Sequence, residues 1–347
     1  MNTADIVNRE TTSDNRVSSE LPTVTVVIPM KDERDYIGKC LESVINQDYP
    51  KALTEILVVD GGSTDGSLEV VTDFMKHHAN IKLLGGPGVN CPAAMNIGIN
   101  EANGEIVAKV DAHGYPARSF LTAGIHYLTG DPTVKCVGGP IRPLAQGIIA
   151  RAGVFARSSV FGVGKGVYSM GKSSGFVDSV QCGLYQKDVF RKVGLFDEAL
   201  QFGEDEEINW RIRKKGYKIF SSPDIRFYYF SRTSFKALFK QYYNYGRLRV
   251  QVIRKHPDFF RPKHAMPPAL VFCLLTTALV GTFNQTALIA FIGLASFYLI
   301  VSTGMSAAIS ATEGRRYLFL IPIGFAALHF GYGIGFLSGV CRLCLSR

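Results

Sequence analysis

The segment Val110-Asp-Ala-His-Gly-Tyr-Pro116 sets a carboxylate, Asp111, two positions from an imidazole, His113, where Gly114 lets an apolar run turn. Alternate residues of an extended chain point the same way, so both side chains face one side. One hard oxygen and one nitrogen suit a divalent cation, the oxygen favouring Mg²⁺ and the nitrogen Mn²⁺, with positions left for phosphate oxygens. Spacing alone equally allows Asp111 to cap a turn and His113 to pack at a surface. A second candidate is the acidic run Glu204 to Glu207, followed by Arg211, Arg213, Lys214, Lys215 and Gly216. Acids at a helix start, bases at its end and a glycine beyond describe a well-made surface helix. The same run supplies a general base if one acid turns into a cleft, because burial and like-charged neighbours raise its pKa.

These groups need elements to position them. The β-branched run Thr23 to Ile28, closed by Pro29, predicts a buried strand, and Ile37, Leu41, Val44 and Ile45 predict a helix over 32–46. A strand from Glu55 delivers Asp60 to its carboxyl end, followed by a Gly and Ser loop and a helix from about Ser67. Ile81 to Leu84 reads as a third strand, Ala93 to Ala102 as a third helix, and Glu105 to Val110 as the strand carrying Asp111. Alternating strands and helices predict an α/β domain on a mostly parallel sheet, with ligand groups at its carboxyl edge. Asp60 and Asp111 therefore meet at one edge. The turn after the first strand, PMKDERDYIG, lacks G-x-G-x-x-G, and no G-x-x-x-x-G-K-[ST] occurs, which excludes a dinucleotide dehydrogenase and a P-loop enzyme.

The 347 residues, 47% hydrophobic, suffice for more than one region. Ala269 to Phe283, Ala287 to Met305 and Tyr317 to Val340 are nearly free of charge, and each is close to the roughly 20 residues that cross a bilayer. Two or three membrane helices are expected. The net charge of +9 raises nucleic acid as a partner, but its placement argues against one. Nine Lys or Arg residues and one acid, Asp258, lie between Arg232 and Lys263, just before the first apolar stretch, where cytoplasmic juxtamembrane charge belongs. Arg315 and Arg316 precede the last such stretch, and a hairpin returns them to the same side. Phe235, Leu238, Phe239, Tyr242 and Tyr245, interleaved with Lys236, Lys240 and Arg247, suggest an amphipathic helix, either in the headgroup plane or covering the soluble domain. Residues 1–20 have no apolar core of a secretory signal. Seven scattered cysteines do not form a disulfide framework, and Cys341 and Cys344 are a lone pair without zinc-site partners. The expected organisation is a disordered tail, 1–21, a catalytic domain, 22–231, a basic interfacial segment, 232–265, and a multi-pass inner-membrane region, 266–347, with catalysis on the cytoplasmic face.

Taken together, TVVIPMKDERDYIGKCLESVINQDYP, EILVVDGGSTDGS, GEIVAKVDAH, GLFDEALQFGEDEEINWRIRKKGYKI and the apolar C-terminal stretches resemble family 2 inverting glycosyltransferases. The likeness extends to the membrane-associated, succinoglycan-type branch. It implies a GT-A nucleotide-diphospho-sugar transferase fold, a mostly parallel mixed sheet flanked by helices. It also implies that Pro29, Met30 and Glu33 line a nucleotide pocket and that Asp60 binds the uracil base. Asp111 and His113, standing where the family usually has D-x-D, would hold Mn²⁺ or Mg²⁺ against the diphosphate. Asp205 matches the family's base, and Arg232 falls where a basic residue contacts the diphosphate. Relatives often carry an Arg before the Asn of the preceding helix; here it is Met95-Asn96, so Lys109 would supply that contact. The processive Q-x-x-R-W motif is absent, Gln241 beginning QYYNYGRLR instead, which favours transfer of a single sugar. The Gly-rich stretch within 140–181 is a candidate acceptor-binding segment. The resemblance points to a UDP-sugar donor, UDP-glucose foremost, a lipid-linked glycan acceptor, membrane lipids as surroundings and no nucleic acid. The alternatives are a polyprenyl-phosphate sugar synthase and a non-catalytic sugar-nucleotide-binding membrane component.

Overall fold

A computed structural model describes residues 21–163, 173–200 and 202–345. The expected tail lies outside these residues apart from Leu21, as does much of the Gly-rich stretch. The chain opens with β1 (Val24–Met30), α1 (Arg34–Ile45), β2 (Thr54–Asp60), α2 (Ser67–His77), β3 (Ile81–Gly85), α3 (Cys91–Glu101) and β4 (Ile106–Lys109). All seven were foreseen, their stated ends displaced by at most two residues. Strand β1 runs parallel between β2 and β4, its Met30 opposite Asp60 and its Val27 opposite Lys109. Residues alternate across the sheet as a period of two requires. Val24, Val26 and Ile28 enter one core layer, with Ile37 and Leu41 of α1, while Val27 enters the other, with Met95 and Ile99 of α3.

Beyond β4 the sheet becomes mixed, as the family resemblance implies. β5 (Gly114–Pro116), α4 (Phe120–Gly130), β6 (Val134–Gly138), β7 (Ile141–Leu144) and α5 (Gly147–Ser158) precede β8 (Gly175–Phe176) and β9 (Leu184–Gln186). The sequence then runs through α6 (Asp188–Val193), α7 (Glu204–Lys214), β10 (Lys218–Ser221) and β11 (Phe227–Phe230). Eight strands form one sheet, β3-β2-β1-β4-β9-β6-β10-β8, and β9 is antiparallel to both of its neighbours. A second sheet, β5-β11-β7, covers the carboxyl edge. This reversal matters for the site: an antiparallel strand beside β4 brings its preceding loop, residues 181–183, to the end where Asp111 lies.

Four long helices complete the chain: α8 (Phe235–Lys255), α9 (Pro262–Gly281), α10 (Gln285–Glu313) and α11 (Leu320–Leu345). The last three are each long and apolar enough to cross a membrane. Helix α8 confirms the helical spacing of its aromatic residues but corrects what they contact. Leu238 and Tyr242 are buried among Ala152 and Ala156 of α5 and Ile321, Phe325 and Leu328 of α11, so protein and not lipid covers that face. Along α10, Tyr298, Ser302, Ser306 and Ser310 form the one buried stripe, at a step of four residues, and the rest is exposed or half-buried.

Candidate active site

Strand β4 ends on Lys109, whose side chain is 1% exposed. A buried ammonium in an apolar strand requires carboxylate partners. Lys109 has three: Asp205 Oδ2 at 2.7 Å, Glu204 Oε1 at 3.0 Å and Asp111 Oδ1 at 3.5 Å. Burial disfavours its charge, yet these carboxylates hold its pKa well above the ordinary lysine value. Lys109, expected at the diphosphate, is thus paired here with the three acids of the site.

Helix α7 is aimed at Lys109 by its own side chains. Gly203, in the left-handed region at φ 79°, caps it, and Asn209 donates to the carbonyl of Val180 at 2.8 Å. Arg211 reaches the carbonyls of Val193 and Leu195 and pairs with Glu207. The four acids then separate by partner. Glu207, fully buried, is held by Arg211 and by His256 at 2.8 Å, and Glu206 pairs with Arg249 of α8. Glu204 and Asp205 share Lys109. Asp205 Oδ1 alone among these carboxylate oxygens is buried without a hydrogen-bond partner among the described residues. Burial pushes the Asp205 carboxyl up to about 7; Lys109 opposes the rise, and the charges of Glu204 and Asp111 add to it. A carboxylate titrating near neutral pH is poised for general-base work.

Asp111 follows β4 directly. Burial works against its charge, but Lys109 and His113 hold its carboxyl below the usual range, so it is ionised. His113 Nδ1 lies 3.0 Å from Glu33 Oε1, and Nε2 lies 3.0 Å from the Tyr229 hydroxyl. Tyr229 arrives on β11, which pairs with β5 so that Tyr229 stands opposite Gly114. Arg232, just past β11, makes no hydrogen bond or ion pair among the described residues. Asp111, His113, Glu204, Asp205, Tyr229 and Arg232 line one cavity of about 230 Å³. A larger hollow, about 850 Å³, opens at the other end of β4 beside Gly104 and Glu105. It gathers none of these groups, and ligand chemistry in such sheets collects at the carboxyl ends.

No three His, Cys, Asp or Glu side chains stand together as a ready cation cage among the described residues. Asp111 and His113 fit a divalent cation as a two-ligand face, the remaining positions falling to phosphate and water oxygens. Glu33 holds Nδ1 of His113, as an outer carboxylate orients a ligating imidazole, so Nε2, now beside the Tyr229 hydroxyl, would be the nitrogen offered to a cation. The other expected residues lie nearby but outside the cavity. Asp60 is at the same edge, two strands from β4, or roughly 10 Å by strand spacing. Its carboxylate accepts from Gly62 N at 2.7 Å and from the Ser63 hydroxyl at 2.5 Å. Pro29 is half-buried, and Met30, 3% exposed, belongs to the core, so its side chain does not line an open pocket. Asn96 is structural, bonded to Phe196 and Glu198. Sequence reasoning missed Tyr229 and Cys182, whose Sγ lies 3.5 Å from Asp111 Oδ2, and did not foresee that Glu204 shares Lys109 with Asp205. The one available signal was Lys109 itself, a charge in an otherwise apolar strand.

Residues 25–194 match the model of glycosyl transferase family 2. A dolichyl N-acetyl-α-D-glucosaminyl phosphate 3-β-D-2,3-diacetamido-2,3-dideoxy-β-D-glucuronosyltransferase of Methanococcus voltae is 32% identical over 265 residues, 74% of this chain and 82% of that one. The succinoglycan biosynthesis protein ExoA of Rhizobium meliloti is 25% identical over 315 residues, 90% of this chain and 93% of its own. Among solved structures, the mannosyltransferase PcManGT of Pyrobaculum calidifontis, in complex with GDP-mannose and Mn²⁺, superposes with a TM-score of 0.60. It covers 92% of this chain and 88% of its own at 21% identity, a likeness of fold.

Proposed function

The chain belongs to glycosyl transferase family 2, and on that premise we propose that it transfers one sugar, glucose from UDP-glucose, to a hydroxyl of a lipid-linked saccharide. The carrying observation is Asp205. Its unpartnered Oδ1 and its pKa raised to about 7, beside the cavity it lines with Asp111, His113 and Arg232, support its reading as the proton acceptor. In this reading Asp205 takes the proton of the acceptor hydroxyl as that oxygen attacks the anomeric carbon. The bond to the diphosphate breaks on the opposite face and configuration inverts. Arg232 meets the charge growing on the leaving group. A divalent cation held by Asp111 and His113 would neutralise the diphosphate when bound. Pro29, Glu33, Asp60 and the backbone at Met30 surround the nucleotide. The acceptor class is supported by the names of the two relatives, which give a dolichyl sugar phosphate and succinoglycan biosynthesis. The basic segment preceding the apolar helices supports a catalytic domain on the cytoplasmic face of the inner membrane.

The test is transfer by the full chain in lipid nanodiscs, supplied with a membrane lipid extract and a panel of UDP- and GDP-sugars. Mass spectrometry should find a single hexose added to a lipid-linked saccharide, which mild acid releases as a piece larger than a monosaccharide. Asp205→Asn should stop transfer while UDP still binds. Release of a lone hexose would mean a phosphate acceptor, and an active Asp205→Asn would mean another base; either result refutes the proposal.

A further inference from the structure

Helix α11 is apolar throughout and of spanning length, yet its packing is that of a helix lying flat. Its partner is α8, which carries six cations, Lys236, Lys240, Arg247, Arg249, Arg254 and Lys255, and no acid. Such a helix does not enter a hydrocarbon core. Both ends of α8 are fastened to the catalytic domain: Leu238 packs on α5, and farther along Arg249 pairs with Glu206, Lys255 with Asp197 and His256 with Glu207. It therefore lies along that domain.

Helix α11 follows it in parallel. A Cβ built on Gly331 or Gly339 would stand 2.8 Å from the carbonyl oxygen of Phe239 or Arg247, and one on Gly335 would run into that of Tyr243. Each step of four residues along α11 is matched by a step of four along α8. The two backbones thus stay in contact over several turns with little crossing angle, which small residues permit. Half of the most apolar stretch of α11 is buried inside the protein, against 6% for α10 and 22% for α9. Its exposed large apolar residues are Ile323, Ile334, Val340 and Leu345; the first two and Leu345, with half-buried Phe330 and Leu337, form one stripe on a single helix face by the 3.6-residue period, while Val340 lies off that face in the exposed last turns.

Resting on the membrane attachment proposed above, we infer that α11 does not cross the bilayer. It lies in the headgroup plane beside α8, this stripe against the acyl chains and the cations of α8 at anionic headgroups. The inference also accounts for its sequence, since a helix with protein on one side and lipid on the other is apolar all round. The hairpin of α9 and α10 then enters the bilayer alone. Helix α11 meets it at Pro267 and Val271 of α9 and at Tyr298 of α10. From that level to the turn at Asn284, 1.5 Å per residue gives about 20–25 Å. Added to the 5–10 Å depth of an interfacial helix, this approaches the roughly 30 Å of the hydrocarbon core. Cations at both ends of α11, Arg315 and Arg316 before it and Arg342 near its close, give it no charge bias toward spanning.

The far end of α11 and the catalytic domain should accordingly share one side of the membrane. In the full chain with Cys273, Cys341 and Cys344 changed to Ser, a membrane-impermeant maleimide is applied to sealed vesicles of either orientation. Ser346→Cys, just beyond α11, should label in the same vesicles as Lys51→Cys of the catalytic domain. Labelling in opposite vesicles overturns the inference. Whichever face the catalytic domain occupies, both labels move with it, so an error in the proposed orientation leaves this comparison intact. As a second measurement, Trp placed singly at 323, 334 and 345 should be quenched equally by shallowly brominated lipids. Deep quenching at 334 with shallow quenching at both ends, the profile of a span, would also overturn it.

Discussion

The substitution Glu204→Gln tests how the base is tuned. Glu204 and Asp205 sit on one ammonium at 3.0 and 2.7 Å, so their bound oxygens are no more than about 6 Å apart. Two unit charges at that distance, with an effective dielectric constant near 20, repel by roughly 3 kcal/mol, or about two pH units. Gln keeps the shape and removes the charge, and Lys109 turns wholly to Asp205 and Asp111. Both changes favour the ionised form of Asp205. Because the base works as a carboxylate, activity falls as pH drops through its pKa, near 7 in the native chain. The acid limb of kcat/KM should therefore move down by one to two units, to about 5–6. Asp111 does not obscure this window, being held below the ordinary carboxylate range. The assay is initial-rate transfer between pH 5 and 9 with UDP affinity measured alongside. A limb that stays near 7 in a variant that still binds UDP would refute the electrostatic account of Asp205.

Four further outcomes are expected. Lys109→Met should move the same limb upward, by about a unit or more, and lower the melting temperature, since three acids lose their shared cation; a downward shift would contradict the clamp. Asp111→Ala should abolish the part of UDP affinity that depends on Mn²⁺, and calorimetry showing equal metal dependence would reject its role. His113→Asp should keep some activity and turn preference toward Mg²⁺, read from rates at matched metal concentrations. Glu207→Ala strands Arg211 and His256 and should cost about 3–5 kcal/mol, seen as a melting point lower by roughly 10 °C with catalysis retained below it.

How far the residues themselves foretold this depends on whether their information is local. The parallel half, β1 to β4, was legible because each element declares its own period. The antiparallel β9 was not, because three short residues carry no period and their direction depends on pairing with β4 and β6. The same limit applies to α8. Its amphipathic spacing was plain, but whether lipid or protein covered the apolar face turned on α11, many residues away.

The sequence by itself determined which residues reach the carboxyl edge, that the Glu204 to Glu207 run holds a candidate base, and that the last eighty residues seek an apolar medium. Periodicity and composition act within a few turns of chain, so they suffice for such conclusions. Only the tertiary structure decided which acid is left with an unpartnered oxygen and a raised pKa, that Lys109 is buried among three carboxylates, and that α11 lies against α8. Charge interactions and close packing depend on distances between groups far apart in the chain, and folding alone sets those distances.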